Sequence, residues 1–356
     1  MSANKLIHRF FFVSSITLIN LVCMINQATA QLNIPVELGL VNWNRQYNIA
    51  VEKSKVEKKP ILILFQEVPG CLNCTKFGKE VLSHPLLVDA IESLFIPLAI
   101  FNNNKGEDGK ILELFNEPSW NNPVVRIVND SRTDLAPRLH NNWSLSGLSS
   151  SMVYALQNAN IEVPEYLQVL VDEFIANENG TEEATFSMHC FWKGESSLGE
   201  VDGVISTQAG FMKDKEVVKL NYNPRVIAYK ELLKSAKNLN CTDEIFVYNN
   251  EQKATAVTFD SGFKISEVET FNIDKEPKYY LYNHALLNKL PLTLTQAKTI
   301  NARLARNLDF EGLLTKSQLA MLDKIKNNKQ IEWENVVEKP FLETYKKVEA
   351  QISKLP

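Results

Sequence analysis

The distribution of cysteine constrains this chain more than any other feature of its sequence. Past Cys23 there are four, in two sets: Cys71 and Cys74 in Val68-Pro69-Gly70-Cys71-Leu72-Asn73-Cys74, and Cys190 in His189-Cys190-Phe191-Trp192 with Cys241 downstream. A scaffold stapled by disulfides concentrates many cysteines in a short chain, so four in the long stretch past Cys23 argue for thiols that react rather than staple. The fold must then come from an ordinary core. A chain of this length with 45% hydrophobic and 22% charged residues buries one unaided, and its length fits two domains.

The N-terminus sets the expected compartment. Lys5, His8 and Arg9 precede an apolar stretch from Phe10 through Ile16, Leu18, Leu21 and Met24, closing on Ala28-Thr29-Ala30 before Gln31. That pattern predicts a secretory signal over residues 1–30, which would remove Cys23 and deliver the protein to a periplasmic or secreted setting. Ser14, Ser15, Thr17 and Asn20 interrupt the run, so no permanent membrane span is expected. The formal charge of -4 offers no basic footprint for nucleic acid. Lysine-rich patches at 53–59 and 324–329 are mixed with acids or Asn and read as solvated surface.

From Gly39 to about Ala159 the pattern alternates strand and helix. A helix around Tyr47 to Lys55 precedes Pro60-Ile61-Leu62-Ile63-Leu64-Phe65, a continuous apolar run suited to a strand buried on both faces. Cys71 and Cys74 follow at once and open a helix over Thr75 to Leu82, and Leu94 to Ile100 is the next strand. A cysteine at a strand end and helix N-terminus is placed where free backbone N–H groups favour a thiolate. These elements, with Asn122-Pro123-Val124-Val125-Arg126-Ile127-Val128 later, resemble a thioredoxin-fold domain over roughly residues 40–160. The resemblance implies that Cys71 and Cys74 are a redox pair and that Pro123 is a cis-proline facing them and helping to dock substrate chains. Leu72-Asn73 stands between the cysteines, without the family's usual Gly-Pro. A zinc half-site would need two more Cys or His ligands, and the same domain has only His84 and His140, so no metal and no other cofactor is expected.

A second set of blocks lies past a helical segment, 161–184, that carries Leu167, Leu170, Val171 and Phe174 on one face and is broken at Asn179-Gly180. Phe186-Ser187-Met188-His189-Cys190-Phe191-Trp192-Lys193-Gly194, then Val201 to Phe211, Glu216 to Pro224 and Ile227 to Leu233, are similar in order to an A-type peptide methionine sulfoxide reductase. Reducing a sulfoxide needs a thiolate to attack sulfur, an acid for the oxygen and an apolar wall for the methyl group. The resemblance assigns attack to Cys190, the proton to Glu216 and the methyl pocket to Phe191 and Trp192. Oxidised Cys190 needs a second thiol, and Cys241 is the candidate. The chain departs from the family between Gly210 and Glu216, where five residues replace a longer loop with a substrate-binding tyrosine. Cys241 itself falls at or near the family's second active-site tyrosine.

Ala254 to Phe259 and Val268 to Ile273 suggest further strands, while Thr295 onward, and Thr315 with Gln318 in a capping box, predict amphipathic helices packed on the reductase-like part. The expectation is therefore an α/β thioredoxin-like domain (40–160), a helical linker (161–184), an α+β methionine sulfoxide reductase-like domain (185–280) and a helical C-terminal extension (281–356). Its expected work is reduction of a methionine sulfoxide-containing protein or small molecule, with a membrane electron carrier reducing Cys71 and Cys74. The alternative is a thiol-disulfide oxidoreductase for exported proteins in which the reductase-like domain only docks clients.

Overall fold

The computed structural model describes residues 35–355; the expected signal over 1–30, with Cys23, lies outside them. The apolar run after Pro60 forms β1 (Ile61–Gln66), buried at every position, as a strand covered on both faces must be. It pairs parallel with β2 (Ile96–Phe101) and antiparallel with β3 (Val124–Val128), giving the order β2-β1-β3. Single bridges extend both edges, Asn44 to Leu98 on one side and Leu139 to Val125 on the other. Around this sheet lie α1 (Tyr47–Glu57), α2 (Leu72–Glu80), α3 (Pro85–Leu94), α4 (Glu107–Leu114), α5 (Leu145–Asn158) and α6 (Glu165–Asn179). Ile61, Ile63 and Phe65 bury one face against Leu112 and Phe115, and Leu62 and Leu64 bury the other against Phe77, Leu87 and Leu148. The helix expected within 161–184 is α6, whose Leu167, Leu170 and Phe174 join that second core.

The second sheet has the order β8-β7-β4-β6-β5-β9. Its strands are β4 (Glu182–Ser187), β5 (Val204–Met212), β6 (Lys215–Tyr222), β7 (Glu244–Val247), β8 (Lys264–Glu267) and β9 (Asn272–Ile273). The five residues that shorten the chain after Gly210 make a tight hairpin, with Lys213 and Asp214 both left-handed (φ 51° and 58°), the twist-matched two-residue turn. Packed on this sheet are α7 (Phe191–Leu198), α8 (Tyr229–Asn238) and α9 (Asn250–Phe259). The strand expected over 254–259 is thus the second half of a helix. The Asn249 side chain accepts the Gln252 N–H and caps it, and that capping signal outweighs the alternation in Thr255-Ala256-Val257-Thr258.

The tail is helical as expected: α10 (Tyr279–Tyr282), α11 (Leu294–Ala305), α12 (Lys316–Asn327) and α13 (Phe341–Ile352). Capping boxes open α11 at Thr293 with Gln296 and α12 at Thr315 with Gln318. Their packing differs from expectation. Leu287, Ile300, Leu313, Met321, Ile325 and Tyr345 share a core with the first sheet and its helices. Meanwhile Thr295 at the start of α11 ties both halves together, its N–H donating to Glu173 Oε2 (2.8 Å) and its hydroxyl to the Ile205 carbonyl (3.2 Å).

His84, the N-cap of α3, is sandwiched between Phe174 and Phe341 at this junction (centroids 5.2 and 5.7 Å). Burial pushes its imidazole down to about 4, and its Nδ1 has no hydrogen-bond partner. The neutral ring is therefore favoured on folding, and protonation opposes it. Its contribution is complete above the unfolded value near 6.5 and is lost as pH falls toward 4, by roughly 3 kcal/mol for this one group. Urea unfolding across that window should show a fall in stability, and a His84→Phe protein should show a clearly shallower one.

Candidate active site

At the end of β1 the chain turns through Glu67-Val68-Pro69-Gly70 into α2, and Cys71 is that helix's N-cap. Two hydrogen bonds pin the turn: the Gly70 N–H donates to Glu37 Oε1 (2.8 Å), and Asn103 Nδ2 donates to the Val68 carbonyl (3.0 Å). A Cβ at Gly70 would overlap the Glu67 carbonyl and the Cys74 side chain, so only glycine allows this approach. Cys71 is exposed, Cys74 is buried one turn along, and their sulfurs lie 3.1 Å apart. Burial, then the hydrogen bond to Cys71, pushes the Cys74 thiol up to about 12. Asn122 Oδ1 accepts from Cys74 Sγ at 2.9 Å, and the peptide between Asn122 and Pro123 is cis, with the Pro123 carbonyl held by Trp143 Nε1 (2.8 Å). The structure thus brings Cys71, Cys74 and the Pro123 loop together.

The second cysteine set is built in the same way. β4 ends at Ser187, and Cys190 is the N-cap of α7, exposed. Glu216, the second residue of β6, points its carboxylate at the helix start, where Oε2 accepts the Phe191 N–H (2.9 Å), one of the amides a helix leaves unpaired. Gly194 lets α7 lie against Met188, which a Cβ there would overlap. Phe191 stacks on Trp192 (5.4 Å) and meets Phe211 (5.1 Å), so the aromatic wall expected of Phe191 and Trp192 exists and has a third member. Cys241 is buried at the neighbouring sheet end, where the Asp243 N–H donates to the Ser187 carbonyl (2.8 Å). Burial raises its thiol to about 11, and its sulfur donates to the Leu239 carbonyl at 3.4 Å.

Sequence reasoning missed the segment that covers this wall. β9 adds to the edge of β5, with Asn272 opposite Phe211, and carries the chain to Asp274, which accepts from Trp192 Nε1 at 2.9 Å. Tyr279 then stacks on the indole of Trp192 (4.2 Å, 21°), and Tyr280 follows, its phenol raised by burial and by the nearby Cys190. Adjacent tyrosines at 279 and 280 were the visible signal. Lys278 anchors them. Its side chain is 1% exposed, its φ is 53°, its Nζ donates to the Thr207 carbonyl (2.8 Å) and pairs with Glu338, and its N–H donates to Glu195 Oε2 (2.8 Å). Burial raises the fully buried Glu195 carboxyl despite the Lys278 charge beside it.

Comparison with known proteins fits both halves. Residues 42–130 match a family model described as thioredoxin-like. The chain is also similar to peptide methionine sulfoxide reductase MsrA of Methanococcus maripaludis, 37% identical over 70 residues that cover 15% of this chain and 45% of that one. It is 27% identical over 143 residues to MsrA 1 of Nostoc sp., covering 30% of this chain and 87% of the relative. A solved DsbH oxidoreductase shares 18% identity across 36% of this chain and 93% of its own, with a TM-score of 0.29, too low to weigh. The match to the Methanococcus protein spans less than half of that relative's length. The class that fold and matches define is a protein with a thioredoxin-like domain. More particularly, the chain carries a thioredoxin-like domain and, elsewhere, a segment homologous to the A-type methionine sulfoxide reductases.

Exposure sets an order of reaction. Brief iodoacetamide treatment of the reduced protein should label Cys71 and Cys190 well before Cys74 and Cys241, read by peptide mass mapping; equal labelling of all four would contradict this burial pattern. Replacing Lys278 with Met removes the cation paired with Glu338 and lying near the buried Glu195, and urea unfolding should report a loss of about 3–5 kcal/mol.

Proposed function

We propose that the protein is an exported methionine sulfoxide reductase that carries its own reductant. The observation behind this reading is Cys190, an exposed N-cap thiol with the Glu216 carboxylate on the next residue's N–H and the Phe191, Trp192 and Phe211 rings beside it. In the proposed cycle the Cys190 thiolate attacks the sulfoxide sulfur while Glu216 delivers a proton to the oxygen. Thioether leaves, and the oxygen stays on Cys190 as a sulfenic acid. The Cys241 thiol attacks that sulfur, water departs, and a Cys190-Cys241 disulfide remains. Cys71 opens this disulfide and Cys74 resolves the mixed disulfide, so two electrons and two protons have passed from the Cys71-Cys74 dithiol to the sulfoxide. A membrane electron carrier returns that pair to its reduced form. Fusion in one chain raises the effective concentration of the reductant.

A second reading, a thiol-disulfide oxidoreductase whose second domain only docks clients, draws support from Tyr279, which covers a face of Trp192. Two assays separate them: consumption of a methyl sulfoxide with dithiothreitol, and reduction of insulin disulfides. The proposal expects sulfoxide turnover, its loss to background in Cys190→Ser, a fall of about a hundredfold in Glu216→Gln, and sulfenic acid trapped on Cys190 in Cys241→Ser. A folded protein that consumes no sulfoxide, yet reduces insulin equally well as Cys190→Ser, gives the second reading the field.

A further inference from the structure

The carboxylate of Glu67 has no part in the cycle above, yet it sits with the first thiol pair. One of its oxygens and the sulfurs of Cys71 and Cys74 all lie within 4.8 Å of one another. Among the described residues Glu67 makes no ion pair, so nothing basic accounts for its position. The turn that holds it is fixed from both sides by Glu37 and Asn103. A fourth donor borders the same two sulfurs: Asn122 Oδ1 is 2.9 Å from Cys74 Sγ and 3.6 Å from Cys71 Sγ.

Two sulfurs with a carboxylate and an amide oxygen beside them make a candidate four-donor set. The imidazoles that sequence reasoning weighed are elsewhere, His84 between two phenylalanines and His140 exposed with Nδ1 by the Arg138 carbonyl (3.2 Å). Glu67 supplies what they do not. Bonds of about 2.3 Å to sulfur place two thiolates on a tetrahedral zinc about 3.8 Å apart, so the present pair need open only by roughly 0.7 Å. The carboxylate need approach by at most about 1 Å. Monovalent copper is satisfied by sulfur alone, whereas carboxylate and amide oxygens beside two thiolates suit the borderline zinc ion.

We propose that the reduced Cys71-Cys74 pair, together with Glu67 and Asn122, binds zinc(II). Binding displaces one proton from each thiol, with no electron transferred. Coordinated thiolates do not exchange disulfides, so the metal caps the reductant until an acceptor or a chelator removes it. Because only binding is at issue, the proposal stands apart from the choice of substrate.

The test uses the full chain as a Cys23→Ser, Cys190→Ser, Cys241→Ser protein, reduced and anaerobic, so that the other thiols take no part. Zinc chloride is titrated against a chromophoric chelator, and cobalt(II) serves as a spectroscopic probe. One zinc per chain is expected, released when Cys71 and Cys74 are oxidised, with cobalt giving tetrahedral bands and charge transfer from two thiolates. Glu67→Gln should weaken zinc by about tenfold or more, and zinc should slow alkylation of Cys71 in the parent but much less in that variant. Equal zinc affinity in Glu67→Gln and parent overturns the proposal, as does an octahedral or single-thiolate cobalt spectrum of the parent protein, which needs no variant to fold.

Discussion

The buried ammonium of Lys278 is the interaction on which the second site depends. A lysine with 1% of its surface exposed is costly unless it is paired and hydrogen-bonded, and here the ammonium meets Glu338 and the Thr207 carbonyl while the backbone N–H donates to Glu195. These partners come from β5, α7 and the loop before α13, so one charge cluster joins strand, nucleophile helix and C-terminal extension. Gln208 closes the ring by donating to Glu338 Oε2 at 2.7 Å. Lys278 in turn leads directly into Tyr279, which stands over Trp192, and Tyr280, which lies near Cys190. The extension thus adds Tyr279 to the aromatic cluster of Phe191, Trp192 and Phe211.

Both candidate nucleophiles exploit the same backbone device. Each follows a buried strand, caps a helix and is exposed there, while a glycine permits the close packing that holds the turn, Gly70 before Cys71 and Gly194 after Cys190. In each case a carboxylate holds an amide near the thiol: Glu37 accepts from Gly70 and Glu216 from Phe191. The arrangement makes the thiol's surroundings depend on core packing rather than on loop order.

Much of this was legible in the sequence because the signals are local. The unbroken apolar run at 61–65, the cysteine spacing, the Pro123 loop, and the Thr315 and Gln318 cap each carry their meaning within a few residues. Where reading failed, the deciding contact was distant. Val257 and its neighbours look extended until Asn249 caps a helix before them. The tail helices look as if they should sit on the nearer domain, yet Ser317 donates to Asp89 across 228 residues of chain and Tyr345 joins the first core. Glu67 carried no signal at all, since an acid next to a strand end is ordinary until the turn folds it against two sulfurs.

The two thiol sets share an asymmetry that gives direction to any exchange between them. One member is exposed and the other is buried with its thiol raised, to about 12 for Cys74 and about 11 for Cys241. A buried thiol held in its protonated form does not attack an outside disulfide or sulfoxide. It acts only after its exposed neighbour has been oxidised or joined to a partner, when the electrophilic sulfur is close by and the local geometry has shifted. Burial therefore separates the thiol that selects the reactant from the thiol that closes the step. It also keeps Cys74 and Cys241 from being lost to over-oxidation, because the ladder beyond sulfenic acid needs both thiolate character and access.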